Sequence, residues 1–241
     1  MAAGTLYIVP TPIGNLGDIT VRALDVLRRV PLILCEDTRR TRVLCDRFGI
    51  GARLVSCYGP VEHRRVDGVL AHLRGGADAA LVSDGGTPCI SDPGYLLVRA
   101  CVDAGIRVES LPGPSALVTA LVGSGLPATR VLFLGFLPKK SGRQLHTLAE
   151  SRTAGTTIVF YESPQRLGLT LNRALEVFPP DTPCVVAREL TKIHEEYVRG
   201  TLGELAARYR DATVKGEVVV LLHCTGGTVR PDDKENDERA D

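Results

Sequence analysis

A short segment rich in glycine, carboxylates and hydroxyls is the part of this sequence best suited to bind a small molecule. It reads VSDGGTPCISDPG over 82–94 and directly follows the apolar run 79–81, a pattern typical of a buried parallel strand and the loop beyond it. Asp84 offers a fixed carboxylate, and the two glycines after it let the backbone approach a ligand closely. In open α/β sheets, ligands bind just beyond the carboxyl ends of the strands. We therefore predict a ligand site here, with Asp92 serving as the N-cap of the following helix.

Two further loops of the first half could contribute to such a site. The segment VPTPIGNLGDIT at 9–20 leaves a strand through prolines and glycines, but its spacing matches neither a dinucleotide-binding GxGxxG nor a phosphate-binding loop with its lysine. A structural turn and a ligand loop remain equal alternatives for it. In LPGPSA at 111–116, the chain could simply start a helix at proline. Alternatively, Ser115 and Ala116 would present free backbone N–H groups, which suit a carboxylate or carbonyl acceptor.

Charged residues also adjoin three apolar strands of the second half. They lie in FYESP at 160–164, ARE at 187–189 and KGE at 215–217. Taken singly, such residues form surface ion pairs more often than functional sites.

Clusters of basic residues follow strand ends or open helices, where they could meet phosphate groups or simply form solvated helix faces. Aromatic residues make up 5% of the chain and tryptophan is absent, which argues against binding of single strands by base stacking. The cations concerned are Arg39, Arg40, Arg42, Lys139, Lys140 and Arg143.

Alternating strands and helices must position these loops. In the first half, strands are predicted at 6–9, 32–35, 53–57, 79–83 and 107–111, with helices at 20–30, 38–47, 61–74 and 95–104. Repeated βα units of this length produce right-handed crossovers and a largely parallel sheet. After a helix at 115–123, strands are predicted at 131–136, 156–162, 183–189, 194–199 and 216–223, with helices at 141–152, 164–177 and 202–209. Two consecutive strands near 183–199 indicate a hairpin and hence a mixed sheet.

Dense proline and glycine near the middle of the chain suggest two domains. We expect an N-terminal α/β domain at 1–113, a C-terminal α/β domain at 114–224 and a disordered acidic tail at 225–241.

Composition narrows the remaining classes of protein. A net charge of +1 over 241 residues gives no general indication that the protein binds nucleic acid or a membrane surface. No apolar stretch is long enough to span a bilayer, and the first residues lack the basic region of a signal peptide. Seven scattered cysteines without a CxxC pair predict reduced, buried thiols in a cytoplasmic protein that holds no metal.

Together these segments resemble the ribosomal RNA small subunit methyltransferase I family, which belongs to the tetrapyrrole-methylase-type (class III) S-adenosylmethionine methyltransferases. The resemblance runs from about residue 6 to residue 222, with eight segments in family order: IVPTPIGNLGDIT, CEDTRRT, LVSDGGTPCISDPG, LPGPSALVTAL, GFLP, FYESPQRL, ARELTK and KGE. One segment departs from it, because CYGPVEH at 57–63 stands where the family commonly has a YHEHNE-type sequence.

The resemblance implies an α/β protein with a mostly parallel sheet in the first domain, a mixed sheet in the second and the cofactor cleft between them. It implies binding of S-adenosylmethionine, usually by a homodimer. The implied reaction is methyl transfer to the ribose 2′-hydroxyl of a cytidine in the decoding region of 16S rRNA, within the 30S subunit, with the basic clusters contacting the RNA. The cofactor-binding residues carried over from the family motifs are Pro10, Asp84, Gly86, Thr87, Ser115, Ala116 and Tyr161.

Methyl transfer from a sulfonium is an in-line displacement, so positioning should outweigh any single acid or base. Alignment can contribute about 7–11 kcal/mol, whereas one general base adds about 10²–10⁴-fold in rate. Our hypothesis is that Glu189, Lys215 or Glu217 assists the acceptor hydroxyl, since all three adjoin strands that face the predicted cleft.

Two other functions remain open at this point. The chain could methylate a tetrapyrrole or another small molecule, which a large apolar cleft with few basic residues at its mouth would favour. It could also be a non-catalytic cofactor-binding dimer, for which the altered segment 57–63 is the argument.

Overall fold

A computed structural model describes residues 2–225 of the chain. The chain divides into two compact units, Met1–Ala116 and Leu117–Asp241. Apart from Thr225, the predicted disordered tail lies outside the described residues. Within 2–225, no helix combines the length and the apolar character that crossing a membrane requires.

The first unit contains a five-stranded sheet in the order β3-β2-β4-β1-β5. Every pairing in it is parallel, so the parallel sheet expected for the first domain is confirmed. Its strands are β1 Leu6–Ile8, β2 Leu32–Cys35, β3 Arg53–Ser56, β4 Ala79–Leu81 and β5 Val108–Ser110. Its helices are α1 Val21–Arg29, α2 Thr38–Phe48, α3 Gly59–Arg74 and α4 Tyr95–Asp103.

Apolar side chains on both faces of this sheet explain why the strands are buried. In β1, Leu6 and Ile8 pack into one core cluster, whereas Tyr7 and the following Val9 pack into the other. This alternation is the two-residue period of a strand that is covered on both sides. Because β1 and β4 are neighbours and run parallel, the loops that follow them leave the same edge of the sheet side by side.

The start of α4 differs from the prediction. Asp92 does not cap this helix: the N-cap is Gly94, which has φ 128° and no side chain with which to cap. A Cβ at that position would lie 2.6 Å from Leu81 Cδ2. The cap is instead supplied by α3, where buried Glu62 accepts a hydrogen bond of 3.1 Å from the backbone N–H of Leu97. The altered segment 57–63 therefore contributes a structural carboxylate.

The second unit contains a five-stranded mixed sheet in the order β6-β7-β10-β8-β9. Only β6 and β7 are parallel among its pairings, and β8–β9 is the predicted antiparallel hairpin. Its strands are β6 Val131–Phe136, β7 Thr157–Glu162, β8 Pro183–Arg188, β9 Glu196–Thr201 and β10 Val218–His223. Helix α5 Ala116–Ser124 begins at the boundary of the units and is followed by α6 Ser141–Ser151, α7 Leu167–Ala174 and α8 Leu202–Tyr209.

Two segments of the second unit are shorter or later than predicted. The helix expected at 164–177 is regular only over Leu167–Ala174. The strand expected at 194–199 begins at Glu196, because the residues after β8 form a turn with positive φ angles at Glu189 and Thr191.

The cysteines are free thiols, six of them buried and Cys89 partly buried, as predicted. Burial raises the pKa of each thiol, to about 12 at Cys184, which keeps them protonated and unreactive. Among the described residues, no group of three or more His, Cys, Asp or Glu side chains could hold a metal ion.

Asp92 should give the protein an unusual dependence of stability on pH. Burial, together with the nearby Glu36 carboxylate, raises the pKa of Asp92 to about 6. The native state then holds a proton that the unfolded chain releases, so this group's contribution to stability is present below about pH 4 and is lost as the pH rises to about 6. We expect Asp92→Asn to gain stability relative to the wild type over that window.

The measurement is the free energy of urea unfolding of both proteins from about pH 4 to about pH 7. Asp103→Asn is the matched control, because it removes an exposed carboxylate from α4. A difference between wild type and Asp92→Asn that stays constant across this range would contradict the prediction.

Candidate active site

Three loops of the first unit, 9–20, 82–94 and 111–116, are joined by hydrogen bonds and are called the first loop cluster below. Thr11 and Gly86 exchange two backbone hydrogen bonds, of 2.9 Å from Thr11 N–H and 2.8 Å from Gly86 N–H. Thr87 Oγ1 donates to the carbonyl of Pro114 at 3.0 Å. The three loops that contain the first-unit members of the predicted cofactor-binding set are therefore physically connected.

Buried hydroxyls reinforce the contact between the first two loops. Thr11 Oγ1 donates to the carbonyl of Ser83 at 3.1 Å, and Ser83 Oγ donates to the carbonyl of Gly86 at 3.2 Å. Gly86 has φ 93°, and a Cβ there would lie 3.3 Å from Ile13 Cγ2. Only glycine makes this turn without strain while lying against the other loop. The loop at 9–20 thus packs directly on the segment predicted to bind, and both alternatives for it, a structural turn and a ligand loop, stay predictions.

Pro10 and the third loop also meet closely. A Cβ on Gly113 would lie 2.7 Å from Pro10 Cβ, so the backbone of LPGPSA passes directly over the buried proline. Ser115 directly precedes α5, whose first residue is Ala116, as the sequence predicted for a helix start.

The first loop cluster keeps backbone donors available. Within residues 2–225, the N–H groups of Gly85, Thr87 and Ser115 donate to no protein acceptor. Such donors suit a ligand that carries carboxylate, hydroxyl or ring acceptors.

Asp84 lies in the cluster but is already engaged by the protein. Its Oδ1 accepts the backbone N–H of Asp37 at 3.1 Å, and its Oδ2 lies 3.5 Å from Arg40 Nη1. Its own N–H donates to Glu36 Oε1 at 3.2 Å. Asp84 therefore ties the ligand loop to the start of α2, a contact that sequence reasoning missed.

A second group of loops gathers at one edge of the mixed sheet and is called the second loop cluster. The strand register aligns Glu162 at the end of β7 with Val218 at the start of β10, and Val218 with Arg188 at the end of β8. The segments FYESP, ARELTK and KGE, which are far apart in the chain, thus share one edge. Tyr161 packs edge-on against Phe133 and Phe136, with ring centroids 5.0 and 5.5 Å away.

A buried polar network holds the end of β7 in place. The Glu162 side chain is fully buried and pairs with Arg166 at 2.5 Å, while its second oxygen accepts from Thr170 Oγ1 at 2.6 Å. Thr170 in turn accepts from buried Gln144, which also binds Arg173. Because every member of the network has a partner, the backbone beside Tyr161 is rigidly supported.

The structure brings together two of the three predicted catalytic residues and adds one that was not predicted. Lys192 Nζ lies 2.8 Å from Glu189 Oε1 and 3.1 Å from Glu217 Oε2. Lys215 does not join them: its side chain is exposed, and among residues 2–225 its one polar contact is through its carbonyl, which accepts from Arg188. Lys192 lies in the ARELTK segment, but the turn that folds it back onto Glu189 has no clear sequence signature.

Hydrogen bonds fix the charges of Glu189 and Lys192. The hydrogen bond from Lys192 and the backbone N–H of Glu217 lower the pKa of Glu189, so its carboxylate is ionised and only weakly basic. Burial alone would lower the pKa of Lys192, but its hydrogen bonds to Glu189 and Glu217 outweigh burial and raise it. Lys192 is therefore a fixed cation that donates hydrogen bonds and does not act as a base.

The predicted phosphate-binding cations fall into two kinds. Arg39 is held by Asp37 through hydrogen bonds of 3.0 and 2.7 Å, and Arg40 lies near Asp84. The remaining cations, Arg42, Lys139, Lys140 and Arg143, have exposed side chains and no ion pair in the described part of the chain.

Known proteins place the chain in a family. The family model for Tetrapyrrole (Corrin/Porphyrin) Methylases matches residues 5–206. The ribosomal RNA small subunit methyltransferase I of Hydrogenobaculum sp. (strain Y04AAS1) is 48% identical over 219 residues, which cover 90% of this chain and 94% of that protein. The protein of the same name from Escherichia coli O157:H7 is 48% identical over 221 residues, covering 91% of this chain and 77% of that protein.

The fold is shared with solved structures at much lower identity. A uroporphyrin-III C-methyltransferase from Thermus thermophilus, solved in complex with S-adenosylhomocysteine, superposes with a TM-score of 0.63 at 20% identity, covering 90% of this chain and 97% of that one. The fold alone does not distinguish members of the tetrapyrrole methylases. The 48% identity to ribosomal RNA small subunit methyltransferase I proteins over most of the chain does. The chain belongs to the ribosomal RNA small subunit methyltransferase I family, and it is a methyltransferase whose methyl donor is S-adenosylmethionine.

Proposed function

We propose that this protein methylates the ribose 2′-hydroxyl of a cytidine in the decoding region of 16S rRNA, with the 30S subunit as substrate and a homodimer as the active form. The observation that carries the proposal is the 48% identity, over about nine tenths of the chain, to proteins named ribosomal RNA small subunit methyltransferase I. This chain retains the sequence motifs of that family in order. The resemblance is the reason for naming the ribose of a cytidine as the methyl acceptor.

The first loop cluster fits the methyl donor. S-adenosylmethionine supplies a methyl group on a positively charged sulfur, and it carries a carboxylate, hydroxyls and an adenine ring that need hydrogen-bond partners. The free backbone donors of Gly85, Thr87 and Ser115 can meet such acceptors. The residues of the first unit that would hold the donor are Pro10, Gly86, Thr87, Ser115 and Ala116, while Asp84 would hold the loop itself in place. The cofactor role of Tyr161 stays a prediction from the family motifs.

The second loop cluster would act on the acceptor hydroxyl. Glu189 is a weak base because Lys192 and a backbone N–H already bind its carboxylate. Glu217 is the more accessible carboxylate and is the one that would take the hydroxyl proton, since its side chain is 77% exposed and, among residues 2–225, is bound through one oxygen. Proton removal is a modest contribution of about 10²–10⁴-fold, so the main task of these residues is to align the hydroxyl. Lys215 is kept as a prediction, with an exposed ammonium beside this edge.

The proposal is tested by incubating the protein with S-adenosylmethionine labelled in its methyl group and 30S subunits that lack the modification. We expect label on the ribose of one cytidine of the decoding region, found by nuclease digestion and mass spectrometry of 16S rRNA. Label on a base, or no label on 30S subunits while the protein binds the donor, would contradict it. A parallel incubation with uroporphyrinogen III tests the tetrapyrrole alternative.

Gly86→Ala should weaken binding of the methyl donor by about tenfold or more, because the new methyl group presses the loop at 82–94 away from Ile13. A tenfold loss of affinity corresponds to about 1.4 kcal/mol of binding free energy. Gly105→Ala is the matched control: Gly105 also has a positive φ, of 66°, but its Cβ would meet nothing within 4 Å. Calorimetric titration with S-adenosylmethionine measures both. Equal affinities of the two variants would separate Gly86 from the donor site.

Removing the unpaired cations at the start of α6 should weaken binding to 30S subunits more than removing the paired arginines of α2. Each phosphate contact contributes about 0.7–0.9 to the slope of log affinity against log salt. Lys139→Gln/Lys140→Gln/Arg143→Gln should therefore flatten that slope clearly. Arg39→Gln/Arg40→Gln should change it less, because Asp37 and Asp84 already offset those charges.

Filter binding of both variants over a range of salt concentrations makes this comparison. If Arg39→Gln/Arg40→Gln flattens the slope of log affinity against log salt more than the α6 variant does, the RNA binds the cations of α2 and the prediction is contradicted.

A further inference from the structure

Lys192 is bound by two carboxylates of the second loop cluster, and one of its hydrogen-bond donors is unassigned. A lysine ammonium has three N–H donors and no acceptor. Two are taken by Glu189 at 2.8 Å and Glu217 at 3.1 Å. The side chain remains 28% exposed, so an oxygen atom from outside the protein can reach the ammonium.

We infer that Lys192 donates this third hydrogen bond to the acceptor hydroxyl oxygen of the substrate and stabilises the negative charge that develops there during methyl transfer. The inference rests on the proposed function. It makes Lys192 a catalytic residue and makes Glu189 the positioning residue that holds its ammonium, while Glu217 both binds the ammonium and accepts the hydroxyl proton.

The backbone around Lys192 is strained in a way that an ordinary surface ion pair does not require. Glu189 has φ 51° and Thr191 has φ 65°, a region that a β-branched residue rarely adopts. The Thr191 hydroxyl oxygen is buried without a hydrogen-bond partner. Strained backbone of this kind is characteristic of functional sites, whereas an exposed ion pair stabilises a protein only slightly. Stability alone therefore does not account for this turn.

The KGE segment at 215–217 lies directly against the Glu189 carboxylate that binds Lys192. Gly216 has φ 90°, and a Cβ there would collide with the Glu189 side chain. Only glycine lets the KGE backbone lie against Glu189, so that Glu217 N–H donates to Glu189 Oε1 at 2.9 Å. This hydrogen bond and the one from Lys192 fix the same carboxylate oxygen. The ammonium is thereby held by two chain segments at once.

The other cations of this edge do not offer the same donor. Arg188 is engaged by Glu196 and by the Lys215 carbonyl. Lys215 is exposed with no polar side-chain partner among residues 2–225, so nothing fixes its ammonium. A donor that stabilises a transition state must be in place before the reaction, because ordering it during the reaction would cost part of the gain.

The chemical step balances with groups already named. As the acceptor oxygen forms its bond to the methyl carbon, the carbon–sulfur bond breaks and its electron pair stays on sulfur, which becomes neutral. The hydroxyl proton passes to the exposed carboxylate of Glu217 and from there to water. Lys192 keeps its proton throughout and only donates a hydrogen bond, consistent with its raised pKa.

The test compares Lys192→Met and Lys192→Arg with Arg99→Gln, which removes an exposed, ion-paired cation from α4. Single-turnover methyl transfer is measured with saturating S-adenosylmethionine over a range of unmethylated 30S concentrations. Losing a donor to the developing charge should lower the rate at saturation by about 10²–10³-fold, with unchanged KM and unchanged donor affinity by calorimetry. Lys192→Arg should recover part of the rate, and Arg99→Gln should equal the wild type.

A double variant, Glu189→Gln/Lys192→Met, separates the proposed role from simple charge balance. It removes the carboxylate that Lys192 neutralises, and it should stay as slow as Lys192→Met while unfolding at the wild-type temperature. Wild-type rates in the double variant, an undiminished rate in Lys192→Met, or a loss confined to KM would overturn the inference. Failure of the proposed function looks different: the wild type itself would bind the donor without methylating 30S subunits.

Discussion

The two backbone hydrogen bonds between Thr11 and Gly86 are the constraint on which the first half of the protein depends. They join the loops that follow β1 and β4, two adjacent central strands of a parallel sheet. The buried hydroxyls of Thr11 and Ser83 donate to carbonyls of the same turn and so reinforce the contact between the two loops. A third loop is then held by Thr87, and together the three present backbone donors on a rigid sheet.

In the second half, a strained turn and a glycine bring the charged side chains together at one edge of the mixed sheet. Its sheet is mixed, so the segments that meet at one edge come from both strand ends and strand starts. A strained turn after β8 and the glycine before β10 bring Glu189, Lys192 and Glu217 into contact. Behind them, the fully paired network of Glu162 keeps the neighbouring strand end from moving. The strained turn is thus accompanied by a paired polar network around Glu162 in the neighbouring strand.

Much of the fold could be predicted because its signals are local. Apolar runs of strand length alternating with amphipathic helices are written directly in the sequence, and most observed elements begin and end within a few residues of the predicted positions. The prediction that Asp92 is the N-cap of α4 was wrong, because Asp92 and Pro93 have the local pattern of a helix start although the helix begins after Gly94. What decides the start is the contact of Gly94 with Leu81, two residues far apart in the chain. A long-range contact of this kind leaves no trace in the local pattern.

By itself, the sequence determined the order of the motifs, the two kinds of sheet and the family, because each depends on residue types and their spacing along the chain. Only the tertiary structure decided which charged groups act together. It tied Asp84 to the start of α2, left Lys215 at the surface and placed Lys192 between two carboxylates. The reason is geometric: an ion pair forms between side chains within a few ångströms, and that distance is set by strand register and turn conformation, which neither residue specifies alone.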